Sequence, residues 1–148
     1  MSDDLVAFLK ARLDEDEAAA NALATGGNPA IGKAGQWNAY IEGGDDGWAF
    51  EDDAANGVGA IVGSHELAAH IARHDPVRVL REVAADRAIL DRLEHAARYR
   101  DQVFARPEPR SVSDEMRAVT TMLTLEVAVK LRAAIYNDHP DYQEEWKP

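Results

Sequence analysis

The spacing of apolar residues changes twice along this chain, and that change constrains the fold more than any other feature. Near the start, Leu5, Leu9 and Leu13 recur at helical spacing. Between residues 36 and 63, apolar and polar residues alternate instead, as they do in half-buried strands. Helical spacing returns after Ser64. The pattern therefore predicts an α+β fold, in which helices cover one face of a small sheet.

The chain has 148 residues, which suits one domain. We predict three main helices and one short helix packed on a small three-stranded antiparallel sheet. Ser64, Asp75 and Ser113 are the expected helix caps, and Pro76 follows Asp75 at the first helical position. The predicted elements of the single domain 1–148 are an N-terminal helix 3–24, a β-meander 36–63, helices 65–74, 76–99 and 114–136, and a tail 137–148.

Charge and cysteine content exclude several classes of function. The chain carries 16 basic and 27 acidic residues, a net charge of −11, which repels a phosphate backbone and disfavours direct nucleic-acid binding. It has no cysteine, so it offers neither disulfides nor thiolate metal sites. No apolar run approaches the ~20 residues of a membrane helix. We therefore expect a soluble cytoplasmic protein with no membrane partner and no cofactor.

The helix 114–136 is apolar on two sides, which indicates either a central helix or one shared with another subunit. One side carries Met116, Val119, Leu123, Val127 and Leu131, and the other carries Met122, Leu125 and Val129. Arginine provides every basic residue between 64 and 110, and its guanidinium pairs well with carboxylates. The candidate partner-binding residues are Arg78, Arg81, Arg92, Met122, Leu125, Val129, Tyr142 and Trp146.

One group of residues has the composition of a metal site. His70 and His74 are four residues apart on a predicted helix, so their rings can point the same way. His65 and Asp75 could complete the set, although Asp75 already has a structural role as a cap. These four are weak metal candidates, because histidines on a helix surface and a helix cap explain them better. No catalytic nucleophile motif, phosphate-binding loop or dinucleotide fingerprint is present.

Three segments carry a resemblance to a known family. They are HIARHDPVRVLREV at residues 70–83, the run from Asp4 to Leu9 with its acidic continuation at 14–17, and DHPDYQEEW at 138–146. Together they resemble a family of small actinobacterial and actinophage proteins that is known only as a domain of unknown function. The resemblance implies one intact unit and an actinobacterial or phage source. It implies no activity.

We expect a non-enzymatic, acidic protein-interaction module, with a protein partner or with self-association through the C-terminal helix. Two alternatives remain open. One is an acidic nucleic-acid mimic of phage origin, whose carboxylates near residues 14–17 and 51–53 would be spaced like phosphates. The other is a metal-dependent hydrolase that uses His70 and His74.

Overall fold

The structure is a computed structural model that describes residues 3–24, 36–41, 48–52, 58–62 and 64–148. Long helices occupy most of this part of the chain. In order, the elements are α1 Asp3–Ala24, β1 Trp37–Ile41, β2 Trp48–Asp52, β3 Val58–Val62, α2 His65–Arg73, α3 Pro76–Phe104, α4 Val112–Ala133 and the 3-10 turns Ala134–Tyr136 and Glu144–Trp146.

Side-chain caps fix where three of the helices begin. Ser64 Oγ accepts a hydrogen bond from Leu67 N at the start of α2, and Asp75 Oδ1 accepts one of 2.6 Å from Arg78 N at the start of α3. At α4 the cap is Ser111, so this helix begins two residues before the predicted start. Helix α3 also runs past residue 99 to Phe104, because no proline or glycine interrupts the chain there.

Contacts within the chain divide it into two compact units. Unit 1 comprises Met1–Leu13 and Ala84–Pro148, and unit 2 comprises Asp14–Val83. The single domain 1–148 therefore stays a prediction, and each unit is described by itself below.

Unit 1 has a core made by helices. Its fully buried side chains include Leu5 and Leu9 of α1, Leu93 and Val103 of α3, and Val129 of α4. Ala118 and Ala133 are also completely buried, and such small residues allow close approach of helix backbones. The described residues of this unit contain no strand.

Unit 2 holds the sheet. Its strands lie in the order β1-β2-β3, and each neighbouring pair is antiparallel. Helix α2 packs against all three strands, and its Ala68 is completely buried. A sheet of this size needs a covering helix to be stable, and the nine residues of α2 provide one.

The predicted α+β fold class, with the main helices packed on the sheet, is wrong. The buried apolar side chains that the structure describes lie on α-helices or on the last 3-10 turn, and most of them belong to unit 1. The fold is helical, and the strands form a minor part of unit 2. The reason is that a stripe of apolar residues predicts that one face of a helix is buried, but it does not specify which element covers that face. Within unit 1, Trp146 of the last 3-10 turn packs against Phe8 of α1, and Arg132 of α4 pairs with Asp86 of α3.

Candidate functional site

The outer side of α4 is lined by exposed apolar side chains over its whole length. Their exposed fractions range from 37% to 74%, where an ordinary surface helix would carry polar residues. They follow one another at intervals of three or four residues, so they form one continuous band. We call this band the α4 apolar stripe, and it consists of Val112, Met116, Val119, Leu123, Val127, Leu131 and Ile135.

The opposite side of α4 faces the core of unit 1. Val129 has 0% exposure, and Met122 and Leu125 are half-buried. Arg100 Nη1 lies 2.8 Å from Met122 Sδ, which holds that side chain against α3. These three residues were the predicted partner contacts on α4. The structure buries Val129, leaves Met122 and Leu125 half-buried, and exposes the other of the two apolar sides.

The predicted contacts Tyr142 and Trp146 lie in an aromatic cluster around Phe8. The ring of Trp146 is 5.0 Å from that of Phe8, centroid to centroid, and only 3% of the residue is exposed. Tyr142 approaches Phe8 edge-on at 6.0 Å. Tyr136 and His139 complete the cluster from the same C-terminal segment. These aromatic side chains pack together and stabilise unit 1, and a partner contact at Tyr142 and Trp146 stays a prediction.

Arg12 joins the same cluster and ties helix α1 to the chain end. Its Nη1 lies 2.8 Å from His139 Nδ1, and its guanidinium lies over the ring of Phe8. Asp141 N also donates a hydrogen bond to His139 Nδ1. Arg12 Nη1 also contacts His139 Nε2, so one guanidinium nitrogen lies against both nitrogens of the imidazole. Sequence reasoning missed this contact, since nothing local links residues so far apart in the chain.

The three arginine candidates lie in different settings. Arg78 is held on its own helix, where its Nε is 2.7 Å from Glu82 Oε1. Arg81 is exposed on α3. Arg92 is also exposed, and it lines a cleft between α3 and α4 that is described further below. Arg78 and Arg81 belong to unit 2, and Arg92 belongs to unit 1.

The histidine candidates are close to one another on and beside α2. The rings of His70 and His74 are 4.6 Å apart, and His65 lines a shallow depression with His70. Both carboxylate oxygens of Asp75 already accept hydrogen bonds from the backbone, because Oδ1 caps α3 and Oδ2 lies 3.4 Å from Trp37 N. Within the described residues, no three histidine or acidic side chains converge as a metal site.

Glu66 is the carboxyl group that lines the depression beside His65 and His70. The pKa of Glu66 is lowered, first by a hydrogen bond from its own backbone N–H and then by the Ser64 hydroxyl. A general acid or base needs a pKa close to the working pH, which for a carboxyl means a raised value. Glu66 is fully ionised at neutral pH and lacks that property.

The acidic residues of the proposed mimic are only partly described. Asp14 and Glu15 are exposed on α1, Asp16 and Glu17 are half-buried, and all four already have interaction partners. The side chains of residues 51–53 lie outside the described part of the chain. The phosphate-like spacing therefore stays a prediction.

The similarity to known proteins extends over almost the whole chain and is not confined to one site. A family profile described as a family of unknown function, DUF6221, matches residues 2–148. The chain belongs to the DUF6221 family. No curated protein and no solved structure matches it. Membership of DUF6221 brings no activity with it, and among the described residues no helix has the length and apolar character to span a bilayer.

Proposed function

We propose that this chain is a non-enzymatic protein-interaction module that forms a homodimer through the α4 apolar stripe. The observation that carries the proposal is the band of seven exposed apolar side chains along the full length of the helix. Exposed apolar surface is costly in water and contiguous bands of this kind mark interaction sites. The cytoplasmic location and the actinobacterial or phage source expected from the sequence remain predictions.

The area of the stripe fits a second copy of the same chain. Seven large side chains that are each about half exposed present on the order of 600 Å² of surface. Two copies packed face to face would bury roughly 1,200 Å², which reaches the lower end of stable, specific interfaces. A two-fold arrangement uses the same patch on both copies, so one stripe suffices.

The spacing of the stripe supports antiparallel packing about Leu123. Val119 and Val127 lie four residues on either side of that centre, and Met116 and Leu131 lie about two turns away. An antiparallel pair would therefore place apolar residues opposite apolar residues along the whole interface. It would also oppose the two helix dipoles favourably.

The charge of α4 supports the same partner. The chain has a net charge of −11, so two copies repel each other. Helix α4 has three acidic and three basic residues and is locally neutral. The repulsion is therefore smallest on the side that carries the stripe. Because salt screens the remaining repulsion, dimerisation should strengthen as ionic strength rises, whereas a basic partner would be released.

The test is the molar mass in solution, measured by light scattering on a sizing column over a range of concentrations. We expect the wild type to approach twice its chain mass of 16.2 kDa and the variant Leu123→Glu to remain a monomer. Glutamate keeps the helix propensity of leucine, so the variant should fold. The matched control is Gln102→Glu, which adds the same charge at an exposed position on α3.

Two outcomes contradict the proposal. The first is a wild type that stays monomeric at roughly 200 μM, a concentration at which even a weak dimer of micromolar affinity would be fully formed. The second is a dimer that Leu123→Glu and Gln102→Glu affect equally, because the interface would then lie elsewhere.

A further inference from the structure

Helices α3 and α4 of unit 1 flank an open cleft of about 630 Å³ that the proposed dimer does not use. Its volume falls in the range of small-molecule sites, which is roughly 300–1,000 Å³. From this cleft we infer a second site on the protein: a binding site for a small organic anion with an aromatic or apolar body. The side chains that carry the inference are Arg92, His95, Tyr99, Arg117, Thr121 and Leu125.

The first argument is the state of the two arginines. In the described part of the chain, neither Arg92 nor Arg117 has a carboxylate partner, although the protein has 27 acidic residues. Four other arginines on α3, on α4 and on the segment that connects them do pair with carboxylates: Arg100 with Asp101, Arg106 with Asp114, Arg110 with Glu115 and Arg132 with Asp86.

The second argument is that the cleft has one sign of charge. Both unpaired arginines line it, and no aspartate or glutamate does. A concave surface with cations and no carboxylate concentrates anions, even on a protein that is acidic overall. Guanidinium groups bind phosphate and carboxylate oxygens by charge-assisted hydrogen bonds.

The third argument concerns the rest of the ligand. Between the arginines the lining is mostly apolar, with buried Ala96, half-buried Leu125 and the ring of Tyr99. His95 is fixed at this cleft by a hydrogen bond of 2.7 Å between its Nδ1 and the carbonyl oxygen of Asp91. Such walls suit a flat apolar body, while hydroxyl groups such as that of Thr121 supply polar contacts at the margin.

The positions of the lining residues along the two helices set the length of the site. Tyr99 and Arg117 lie near the segment that connects α3 to α4, and Arg92 lies seven residues before Tyr99 on α3. Seven residues of helix span about 10 Å. The site therefore fits a ligand of one or two rings whose anionic group meets one guanidinium and whose other end reaches toward the second.

The ligand chemistry is tested with four probes: 1-naphthyl phosphate, 1-naphthoate, 1-naphthol and inorganic phosphate. We expect calorimetric titration to give a dissociation constant below about 1 mM for at least one of the two naphthyl anions. The neutral naphthol and inorganic phosphate should each bind at least about tenfold more weakly, because naphthol lacks the anionic group and phosphate lacks the apolar body. The better of the two naphthyl anions tells whether the site selects a phosphate or a carboxylate.

Substitutions locate the site. Arg92→Gln and Arg117→Gln should each weaken binding of the preferred naphthyl anion about tenfold. The matched control is Arg98→Gln, which removes an exposed arginine from the same helix outside the cleft and should leave binding unchanged. All three positions are exposed, so the variants should keep the thermal stability of the wild type.

The inference fails if neither naphthyl anion binds at 5 mM (about the weakest binding such a site would show). It also fails if naphthol or inorganic phosphate binds as tightly as the naphthyl anions, or if Arg98→Gln is as damaging as the cleft variants. The variant Leu123→Glu separates this site from the proposed dimer: it should lose dimerisation and keep anion binding within about twofold.

Discussion

Asp86 and Arg132 join α3 to α4 in unit 1 through two contacts. Arg132 Nη2 donates a hydrogen bond of 2.6 Å to Asp86 Oδ2, and Arg132 Nε lies 2.6 Å from Asp86 Oδ1. Only 7% of the Asp86 side chain is exposed. The pair therefore fixes which side of α4 faces the core, and by doing so it leaves the apolar stripe on the outside.

Removing one partner of this pair should destabilise the protein markedly. Arg132→Ala leaves the buried carboxylate of Asp86 without its cation, so we expect the free energy of unfolding to fall by about 2–4 kcal/mol. The control Arg98→Ala removes an exposed arginine whose nearest carboxylate oxygen, on Glu94, is 3.8 Å away. It should cost less than about 0.5 kcal/mol.

Urea denaturation at fixed protein concentration measures both changes. The double variant Asp86→Ala/Arg132→Ala should be less destabilised than the sum of the two single variants, since no unpaired charge then remains in the interior. Additive effects of the two substitutions would mean that the pair does not act as a unit.

The aromatic cluster around Phe8 makes a second prediction. Phe8 is buried among the rings of the C-terminal segment. Phe8→Ala should therefore lower the free energy of unfolding by about 3–5 kcal/mol, because it removes buried area and leaves a cavity. Phe104→Ala is the matched control. That ring is 43% exposed and touches Arg110 alone among the described cation–π contacts, so its loss should cost about 1 kcal/mol or less. Equal losses in thermal or urea unfolding would contradict the assignment.

The part of the fold that sequence could predict is the local part. Helical spacing and the cap Asp75 located the start of α3, and the leucines of α1 were correctly expected to be buried. Contacts between distant residues could not be predicted in the same way. Nothing near Phe8 specifies Trp146 as its neighbour, and the sequence alone gave no reason to pair Arg12 with His139.

The candidate site shows the same limit. The sequence revealed that α4 is apolar on two sides, yet the choice between them depends on which side binds α3. Asp86 and the small residues Ala118 and Ala133 decide this, and they act through tertiary packing rather than through local pattern. The cleft was missed for a similar reason, because Arg92 and Arg117 are separated in sequence and line one cleft only when the two helices pack.

A pH dependence follows from the pair that Lys10 forms with Glu94. Lys10 Nζ lies 2.8 Å from Glu94 Oε1, and this hydrogen bond, followed by the charge of Lys10, lowers the pKa of Glu94 below its ordinary value of 4.5. A lowered pKa means that the ionised form is favoured in the folded state. The stabilisation is therefore complete above the unfolded pKa and disappears as the pH falls through the folded one.

We expect wild type and Glu94→Gln to differ slightly in melting temperature at neutral pH and to converge as the pH falls through the lowered pKa of Glu94. The difference should be small and should shrink in high salt, because both side chains are largely exposed. Asp91→Asn, at an exposed position on the same helix, controls for the loss of one negative charge. A gap between wild type and Glu94→Gln that widens in acid would have the wrong sign for this pair.

The orientation of the proposed dimer can be read from disulfide trapping, because the chain has no cysteine of its own. A disulfide requires the two Cα atoms to lie within about 7 Å. In an antiparallel dimer centred on Leu123, Met116 of one copy lies opposite Leu131 of the other. Met116→Cys and Leu131→Cys should therefore cross-link efficiently when the two variants are mixed, and weakly when each is oxidised alone.

Leu123→Cys is the reference variant, since this position meets its own copy in either orientation. Mass spectrometry of the cross-linked species then separates the mixed product from products of a single variant. Efficient cross-linking of Met116→Cys alone would mean parallel helices in place of antiparallel ones. Gln102→Cys, at an exposed position on α3, gives the background level of cross-linking. If Leu123→Cys cross-links no more than Gln102→Cys under oxidation, the stripe does not meet a second copy. Proximity at the centre of the interface is the one requirement that both orientations share.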